Sequence, residues 1–417
     1  MKNQSTRMPL GIYIHVPFCV RKCLYCDFLS APSDEQTRMK YVDALCSEIH
    51  AQASLYKNHE VQTVFLGGGT PSLLNGEQIS EIMDVLKQSF HFADNSLQNK
   101  MADNQNVEIT MEANPGTLTE ENLRKYRQAG INRLSIGLQS AHDEELRSLG
   151  RIHTWEEFLE NYDAARRAGF DNLNIDLMSA LPGQSPETWM DTLRRVAALE
   201  PEHISAYSLI IEEGTPFYDL YGETSLPTEE EDRLMYAQTK EYLAGLGYER
   251  YEFSNYARPG YACRHNSSYW KRTDYVGFGL GSASLCQNVR WSNTSDLQEY
   301  LRFAERSGFD TPLKTNVNHL TIQEQMEEFM FLGLRMTEGV SDNEFRECFG
   351  KSIDQVYGNV IKKLEKEQLI VKEVISVSGS QKKEGTLSKT APAADIRLRL
   401  TDFGVDVSNY ALAEFLF

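Results

Sequence analysis

The sequence has no apolar run of the about 18 to 20 residues that a membrane-spanning helix needs. Its first residues, MKNQSTRMPLGIYIHVPF, also lack the hydrophobic segment of a secretory signal. Positive charge is scarce, because 42 Lys and Arg stand against 60 Asp and Glu, for a formal net charge of −18. An acidic surface repels nucleic acid and anionic membranes. We therefore expect a cytoplasmic protein with no nucleic-acid partner and no stable membrane insertion.

Cysteine is scarce outside one cluster. The chain has seven cysteines, and four of them stand alone at positions 46, 263, 286 and 348. This odd, scattered set is not a disulfide framework, and we expect these four to be buried small hydrophobic residues. The other three, Cys19, Cys23 and Cys26, lie within eight residues. In a reducing compartment, cysteines at such short spacing more often bind metal.

From residue 11 to about 256, short β-rich runs alternate with longer amphipathic stretches, which is typical of consecutive βα units with a parallel sheet. The predicted strands are 11–16, 61–68, 107–113, 133–140, 173–180 and 203–210. Six units are too few to close the usual eight-stranded barrel. We predict an α/β fold with a partial, laterally open (βα)6 barrel, interrupted by a polar surface insertion at 91–106.

Beyond residue 315 the pattern indicates helices, then a hairpin and a terminal helix, which predicts a small winged-helix-like α+β domain. Residues 315–417 carry 12 basic and 16 acidic side chains, the wrong balance for phosphate contacts. We interpret this domain as a structural lid, with a low-complexity loop at 378–394 that we expect to be disordered. The predicted domains are a barrel at 1–260, a connecting segment at 261–314 and the C-terminal domain at 315–417.

The clustered cysteines have the spacing C-x3-C-x2-C directly after the first predicted strand, where the loops of parallel strands gather active-site residues. Three thiolates this close can hold a cubane of four irons and leave one iron without a protein ligand. Zinc is the alternative, with His15 as a fourth ligand. That chelate is awkward if His15 lies within the strand, so the spacing favours the cluster.

The stretch YIHVPFCVRKCLYC resembles the cluster-binding signature of the radical S-adenosylmethionine (SAM) superfamily. The resemblance implies a [4Fe-4S] cluster on the three cysteines, with SAM bound to the open iron and cleaved to a 5′-deoxyadenosyl radical. The stretch FLGGGTPSLL, residues 65–74, is similar to the superfamily's SAM-contacting strand end, since glycines let the backbone approach a ligand. The implied contacts are Gly68, Gly69 and Thr70, with Tyr25 flanking the adenine.

Polar residues follow the later strands at or just past their ends, as suits a zwitterionic ligand. These short motifs resemble one subgroup, the coproporphyrinogen III dehydrogenases of the HemN type and the haem chaperones of the HemW type. The resemblance implies contacts to the cluster-bound SAM at Tyr13, Gly68 and Glu112. It implies a possible second SAM site at Gly69, Thr70, Gln139, Arg151 and Asp176.

The two relatives differ in function, since one oxidises propionate side chains of a porphyrinogen and the other binds haem for delivery. The dehydrogenases carry an additional cysteine two residues after the third cluster ligand, where this chain has Phe28. They also carry an N-terminal extension, for which we expect the 18 residues before Cys19 to be too short. Both differences favour the chaperone.

Residues 263–284, CRHNSSYWKRTDYVGFGLGSAS, resemble the chaperones' H-N-x-x-Y-W motif. A neutral imidazole at His265 can ligate haem iron, and Tyr269 and Trp270 offer flat apolar faces to a macrocycle. The alternative is that the aromatic side chains are core packing beside a hydrogen-bonded His265. The group's following AHS is ASL here, at 283–285, so a second histidine ligand is absent there.

We predict a haem carrier on a radical SAM scaffold rather than a coproporphyrinogen dehydrogenase, and we expect it to hold a [4Fe-4S] cluster, exchangeable SAM, and haem near His265. It would deliver haem to an acceptor protein that the sequence does not identify. Oxygen-independent coproporphyrinogen III dehydrogenase activity is the alternative, and a zinc-binding module is the remote one. The sequence leaves open the oligomeric state, SAM cleavage and the mode of haem attachment.

Overall fold

The computed structural model describes residues 7–93, 107–221, 226–307, 309, 313–375 and 395–417. The predicted insertion at 91–106 lies outside these residues from position 94 onward, as does the whole predicted loop at 378–394. Across the described ranges, every helix is too short or too polar to cross a membrane. The chain forms two compact units, one of Met1–Arg250, Ser254–His265 and Thr273–His319, the other of Tyr251–Phe253, Asn266–Arg272 and Leu320–Phe417. The predicted boundaries after residues 260 and 314 stay predictions.

The first unit contains one twelve-stranded sheet. Its strands are β1 (Met8–Val16), β2 (His59–Gly68), β3 (Glu108–Ala113), β4 (Arg133–Gln139), β5 (Leu173–Ser179), β6 (His203–Ser208), β7 (Glu249–Arg250), β8 (Asn255–Ala257), β9 (Tyr275–Phe278), β10 (Ala283–Cys286), β11 (Val289–Ser292) and β12 (Thr315–His319). The order in the sheet is β12-β11-β10-β9-β1-β2-β3-β4-β5-β6-β8-β7. Strands β1 to β6 pair in parallel, which confirms the α/β prediction.

The helices up to residue 307 are α1 (Glu35–Gln52), α2 (Gly76–Ser89), α3 (Glu120–Ala129), α4 (Asp143–Ser148), α5 (Trp155–Arg167), α6 (Pro186–Ala197), α7 (Pro216–Tyr221), α8 (Glu229–Gly245), α9 (Arg264–Trp270) and α10 (Leu297–Ser307). Two short 3-10 helices cover Ala53–Tyr56 and Pro71–Leu73. Local chemistry sets their ends, as α3 shows. The Thr119 side chain accepts from the Asn122 N–H before its first turn, and Gly130 ends it with φ +107°.

The parallel strands are apolar over most of their length, because helices cover the sheet and leave few strand positions in water. In β1, Leu10, Ile12, Ile14 and Val16 are fully buried. The sequence did not predict strands β9 to β12: β9 to β11 lie in the predicted connecting segment, and β12 lies at the start of the predicted C-terminal domain. Strand β9 pairs in parallel with β1, and β10 to β12 continue the sheet in antiparallel order. They are four or five residues long, too short to show a period.

The second unit, from residue 320 on, contains α11 (Ile322–Gly333), β13 (Val340–Ser341), α12 (Asp342–Phe349), α13 (Ile353–Lys366), β14 (Ile370–Ile375), β15 (Asp395–Leu400), α14 (Asp402–Asp406) and α15 (Ser408–Ala413). Strands β14 and β15 form the predicted hairpin, and β13 completes a small antiparallel sheet. Phe345 and Tyr357 pack in its core. Of the four isolated cysteines, Cys46 and Cys263 are buried as expected, Cys286 is half-buried and Cys348 is exposed, so the expectation is wrong for Cys348 and only partly met for Cys286.

Candidate functional site

A cavity of about 380 Å³ lies where β1 to β6 end, in the size range of small-molecule sites. Ten of the predicted site residues line it: Cys19, Cys23, Tyr25, Cys26, Gly68, Gly69, Glu112, Gln139, Arg151 and Asp176. The carboxyl ends of parallel strands meet at one edge of the sheet, which explains why residues so far apart in sequence converge. Tyr13, Thr70 and His265 are outside this lining.

The cysteine loop after β1 is fixed by backbone hydrogen bonds at several points. The Cys19 N–H donates to the Ala31 carbonyl at 3.1 Å. The Leu24 N–H donates to the Leu149 carbonyl and the Leu24 carbonyl accepts from the Phe217 N–H, each at 3.1 Å. Tyr25 packs edge-on against Phe217, with 6.2 Å between ring centres. The three loop thiols are free and half-buried. A fixed loop with three thiols on one cavity fits a metal cluster that keeps an open position.

His15 does not complete a zinc site with these cysteines. Its side chain is 7% exposed and both ring nitrogens have partners. Nδ1 lies 3.0 Å from the Tyr13 hydroxyl and Nε2 lies 2.9 Å from the Leu29 carbonyl. Burial lowers the pKa of His15, which leaves the ring neutral and tied to the loop's backbone. His15 therefore supports the loop, and the Tyr13 contact to SAM stays a prediction.

The glycine stretch at the end of β2 lies against the start of the cysteine loop. Gly68 has φ +111°, and a Cβ there would lie 2.5 Å from Cε1 of His15. A Cβ on Gly69 would lie 2.6 Å from the Phe18 carbonyl oxygen. The Gly68 N–H donates to Oε2 of Glu112 at 3.0 Å. Larger residues would push the loop away, so the glycines keep backbone and cavity in place.

Thr70, Asn114 and Arg151 form a hydrogen-bonded network beside the thiols. The Thr70 hydroxyl donates to Sγ of Cys19 at 3.5 Å and accepts from Nδ2 of Asn114 at 2.8 Å. Arg151 donates to Oδ1 of Asn114 at 3.0 Å, to Sγ of Cys23 at 3.5 Å, and to the Gly137 carbonyl. A guanidinium this close stabilises a thiolate. Asn114 was not among the predicted site residues, although it lies two residues after Glu112.

The carboxyls of Glu112 and Asp176 line the same cavity. Asp176 accepts from the Ser135 hydroxyl at 2.9 Å and from Nδ2 of Asn174 at 2.7 Å. Ser135 and Asn174 were not predicted as site residues, because their contact with Asp176 depends on the pairing of β4 with β5. Gln139 has φ +75° at an irregularity in that pairing, a conformation unusual outside glycine and frequent at functional sites. Paired acceptors of this kind suit the ammonium group of a zwitterion.

Burial, and then the charge of Asp176, raise the pKa of Glu112 to about 8. Below the unfolded-state pKa, near 4.5, Glu112 is protonated in both states. Between the two values the folded protein binds the extra proton, so stability falls as pH rises toward 8. We expect the thermal midpoint without added SAM to fall more steeply between pH 5 and 8 in the wild type than in Glu112→Gln. Parallel profiles would contradict this assignment.

The haem-ligand role expected of His265 does not fit this conformation. Its side chain is fully buried, Nδ1 lies 2.8 Å from the Thr63 hydroxyl, and the ring stacks on Phe65 at 5.1 Å between centres. Burial, and then the charge of Arg133, lower its pKa to about 3, so the ring is neutral. These are the contacts of a core histidine, which was the alternative for this residue. A haem iron could reach it only after the surrounding chain had opened.

Comparisons with known proteins agree with this geometry. The radical SAM superfamily model matches residues 13–196, and the HemN C-terminal domain model matches residues 320–373. A haem chaperone HemW from Bacillus subtilis is 36% identical over 86% of this chain and 92% of that relative. Another, from Escherichia coli, is 41% identical over 66% of this chain and 69% of the relative. The chain belongs to the HemW family.

The solved structure of another protein has the same fold as this HemW-family chain. Coproporphyrinogen III oxidase (HemN) from Escherichia coli aligns with a TM-score of 0.78, covering 98% of this chain and 90% of the oxidase, at 24% identity. Membership of the radical SAM superfamily implies that the protein uses a [4Fe-4S] cluster and SAM. The donor set fits both groups, since three free thiols lie on one cavity with two carboxyls and an arginine. When bound, the cluster supplies an electron and SAM the group it reduces.

Proposed function

We propose that this HemW-family protein is a cytoplasmic haem chaperone that binds haem at the mouth of its barrel cavity and delivers it to an acceptor protein. The cluster ligands in this proposal are Cys19, Cys23 and Cys26. SAM would be contacted by the residues predicted from the sequence, which are Tyr13, Tyr25, Gly68, Gly69, Thr70, Glu112, Gln139, Arg151 and Asp176. What supports these assignments is the convergence of most of them on one cavity.

The observation that carries the haem proposal is an apolar rim on this cavity, formed by Phe28, Tyr207 and Ile210. All three line the cavity, and their exposed fractions are 61%, 38% and 71%. Leaving large apolar side chains in water is unfavourable, at about 25 cal/mol for each Å² that a ligand could cover. Flat aromatic and branched aliphatic surfaces suit the face of a porphyrin ring.

Two cations adjoin this rim in a protein that is otherwise strongly acidic. Arg21 and Lys22 line the same cavity and are exposed. Lys22 donates from Nζ to the Phe28 carbonyl at 2.9 Å, which holds its charge beside the rim. Haem carries two propionates, and pairing them with Arg21 and Lys22 would leave the ring on Phe28 and Ile210.

Coproporphyrinogen III dehydrogenase activity is the competing function, because the substrate is also a tetrapyrrole and the fold is shared with HemN. Phe28 favours the chaperone. In the dehydrogenase pattern this position is a cysteine, whereas here an exposed phenylalanine stands beside the cluster loop. Three relatives that each match 84% or more of the chain are named haem chaperones.

Replacing Ile210 with Glu is expected to weaken haem binding at least about tenfold, because it places a charged carboxylate against the apolar face of the porphyrin ring. The measurement is an anaerobic haem titration of the cluster-loaded protein, followed by the Soret band. Leu55→Glu is the matched control, since Leu55 is 56% exposed and lies outside the cavity lining. Equal affinities for both variants would remove the rim from the haem site.

The same haem titration of His265→Ala tests whether His265, the predicted haem ligand, binds the iron. If the rim alone binds haem, this variant keeps its affinity and its Soret position as long as its thermal midpoint stays near that of the wild type. A shifted Soret band in a variant that is still folded would show that the chain opens to bring His265 to the iron.

A further inference from the structure

The first unit holds a second group of potential metal ligands, formed by His59, Asp274 and Cys286. His59 begins β2, Asp274 directly precedes β9 and Cys286 ends β10. Each presents one donor atom toward the other two, and the three atoms lie within 4.8 Å of one another. His59 pairs with Met8 at the start of β1, whereas the cysteine loop follows the end of β1. The strand separates the two places by roughly 25 Å.

The distances in this triad are within hydrogen-bonding range and also lie close to the edges of a tetrahedral zinc site. Nε2 of His59 lies 3.3 Å from Oδ2 of Asp274, and Sγ of Cys286 lies 3.8 Å and 3.7 Å from these two atoms. Zinc bonds of about 2.0 Å to nitrogen and oxygen and 2.3 Å to sulfur give tetrahedral edges of about 3.3 and 3.5 Å. A direct ring N–H to carboxylate hydrogen bond prefers about 2.8 Å.

The surrounding backbone holds the triad in this arrangement. Cys286 pairs with Val289 across a turn in which Gln287 and Asn288 have φ +51° and +60°. Two left-handed residues are the requirement of the tight hairpin turn that matches strand twist. The Gln287 N–H donates to Oδ1 of Asp274 at 3.0 Å, which leaves Oδ2 for His59 and Cys286. The His59 side chain is 2% exposed, and its Nδ1 has no hydrogen-bond partner among the described residues.

We propose that His59, Asp274 and Cys286 bind one divalent zinc ion, a site separate from the iron–sulfur cluster. The imidazole, carboxylate and thiolate are three ligands that zinc accepts. A water molecule would occupy the fourth position, on the partly exposed side of the triad. Asp274 is 20% exposed, and this gives the ion a path from solvent. On binding, the Cys286 thiol gives up its proton to water and forms the S–Zn bond, with no change in oxidation state. The bound ion would link the β10–β11 hairpin, through Cys286, to the start of β2, through His59.

The test uses cluster-loaded protein, so that iron already occupies Cys19, Cys23 and Cys26, and adds zinc chloride followed by desalting. We expect about one zinc per chain in the wild type, less than about a tenth in Cys286→Ser, and a similar loss in His59→Gln. Cys46→Ser is the matched control, because Cys46 is also a free cysteine and burial raises the pKa of both thiols to about 12. It should keep its zinc.

Zinc K-edge absorption spectroscopy of the wild type identifies the atoms bound to zinc. It does not depend on the folding of a variant, and the iron of the cluster does not have to be removed. A shell of one sulfur near 2.3 Å and two or three nitrogen or oxygen atoms near 2.0 Å supports the site. A shell of several sulfurs would place the ion in the cysteine loop. That result, an all-nitrogen-and-oxygen shell, or wild-type zinc well below one per chain would each overturn the proposal.

Discussion

Replacing Cys23 with Ala is expected to reduce protein-bound iron and sulfide from about four of each per chain to below about one, after anaerobic reconstitution. A cubane held by only two thiolates would leave two irons without protein ligands, and such clusters are lost readily. The open iron of a bound cluster would hold SAM, so loss of the cluster should weaken SAM binding by at least about a hundredfold. Iron analysis, the visible spectrum and equilibrium dialysis with labelled SAM measure these effects.

Cys348→Ala is the control for this experiment. Cys348 is a free, exposed thiol of the second unit, outside the cavity lining, and its loss should leave iron, sulfide and SAM affinity unchanged. Full iron content in Cys23→Ala would contradict the assignment of the cluster to the loop. So would a protein that is isolated with one zinc and no iron.

Gly68→Ala is expected to destabilise the protein and weaken SAM binding at least about tenfold while most of the iron is retained. The left-handed φ costs a Cβ-bearing residue about 1–2 kcal/mol. The new Cβ would also lie 2.5 Å from the His15 ring, whose hydrogen bond to the Leu29 carbonyl holds it in place. Moving packed groups to relieve such a contact typically costs about 1–3 kcal/mol more. The shift would pull the Gly68 N–H away from Glu112.

The chain offers a matched control for the backbone part of this effect. Gly116 has φ +83°, but a Cβ there would meet no atom within 4 Å. Gly116→Ala should therefore show the conformational penalty alone, with SAM affinity unchanged. Thermal midpoints and SAM titrations of the two variants separate strain from collision. Equal effects in both would mean that the contact with His15 does not matter.

The parallel strands were predictable because apolar side chains recur at alternate positions in short β-rich runs. Strand β4 was expected at 133–140 and lies at Arg133–Gln139, and β5 was expected at 173–180 and lies at Leu173–Ser179. Every second residue from Leu134 to Leu138 in β4, and from Leu173 to Leu177 in β5, is a fully buried Leu or Ile. Strands β9 to β12 gave no such signal, since each has only four or five residues and the glycine-rich segment 279–282 separates β9 from β10. Their place in the sheet depends on pairing with β1, which no local pattern records.

The cysteine loop was predictable from spacing, because the cluster's ligands must come from neighbouring positions. The supporting residues were not. Asn114 links Thr70 to Arg151, and Ser135 orients Asp176, through contacts between residues about 40 apart in sequence. His265 shows the same limit, because the hydroxyl that occupies its Nδ1 belongs to Thr63, 202 residues away. A motif names the residue types, and the fold decides which of them are accessible.

The most direct test of the central claim offers both tetrapyrroles to the same cluster-loaded, SAM-supplemented protein under anaerobic conditions. The proposed haem chaperone binds haem with a saturable Soret band, near one haem per chain, and leaves coproporphyrinogen III unchanged with no release of carbon dioxide. Decarboxylation of coproporphyrinogen III with matching consumption of SAM, together with no saturable haem binding, would contradict the claim and establish the dehydrogenase.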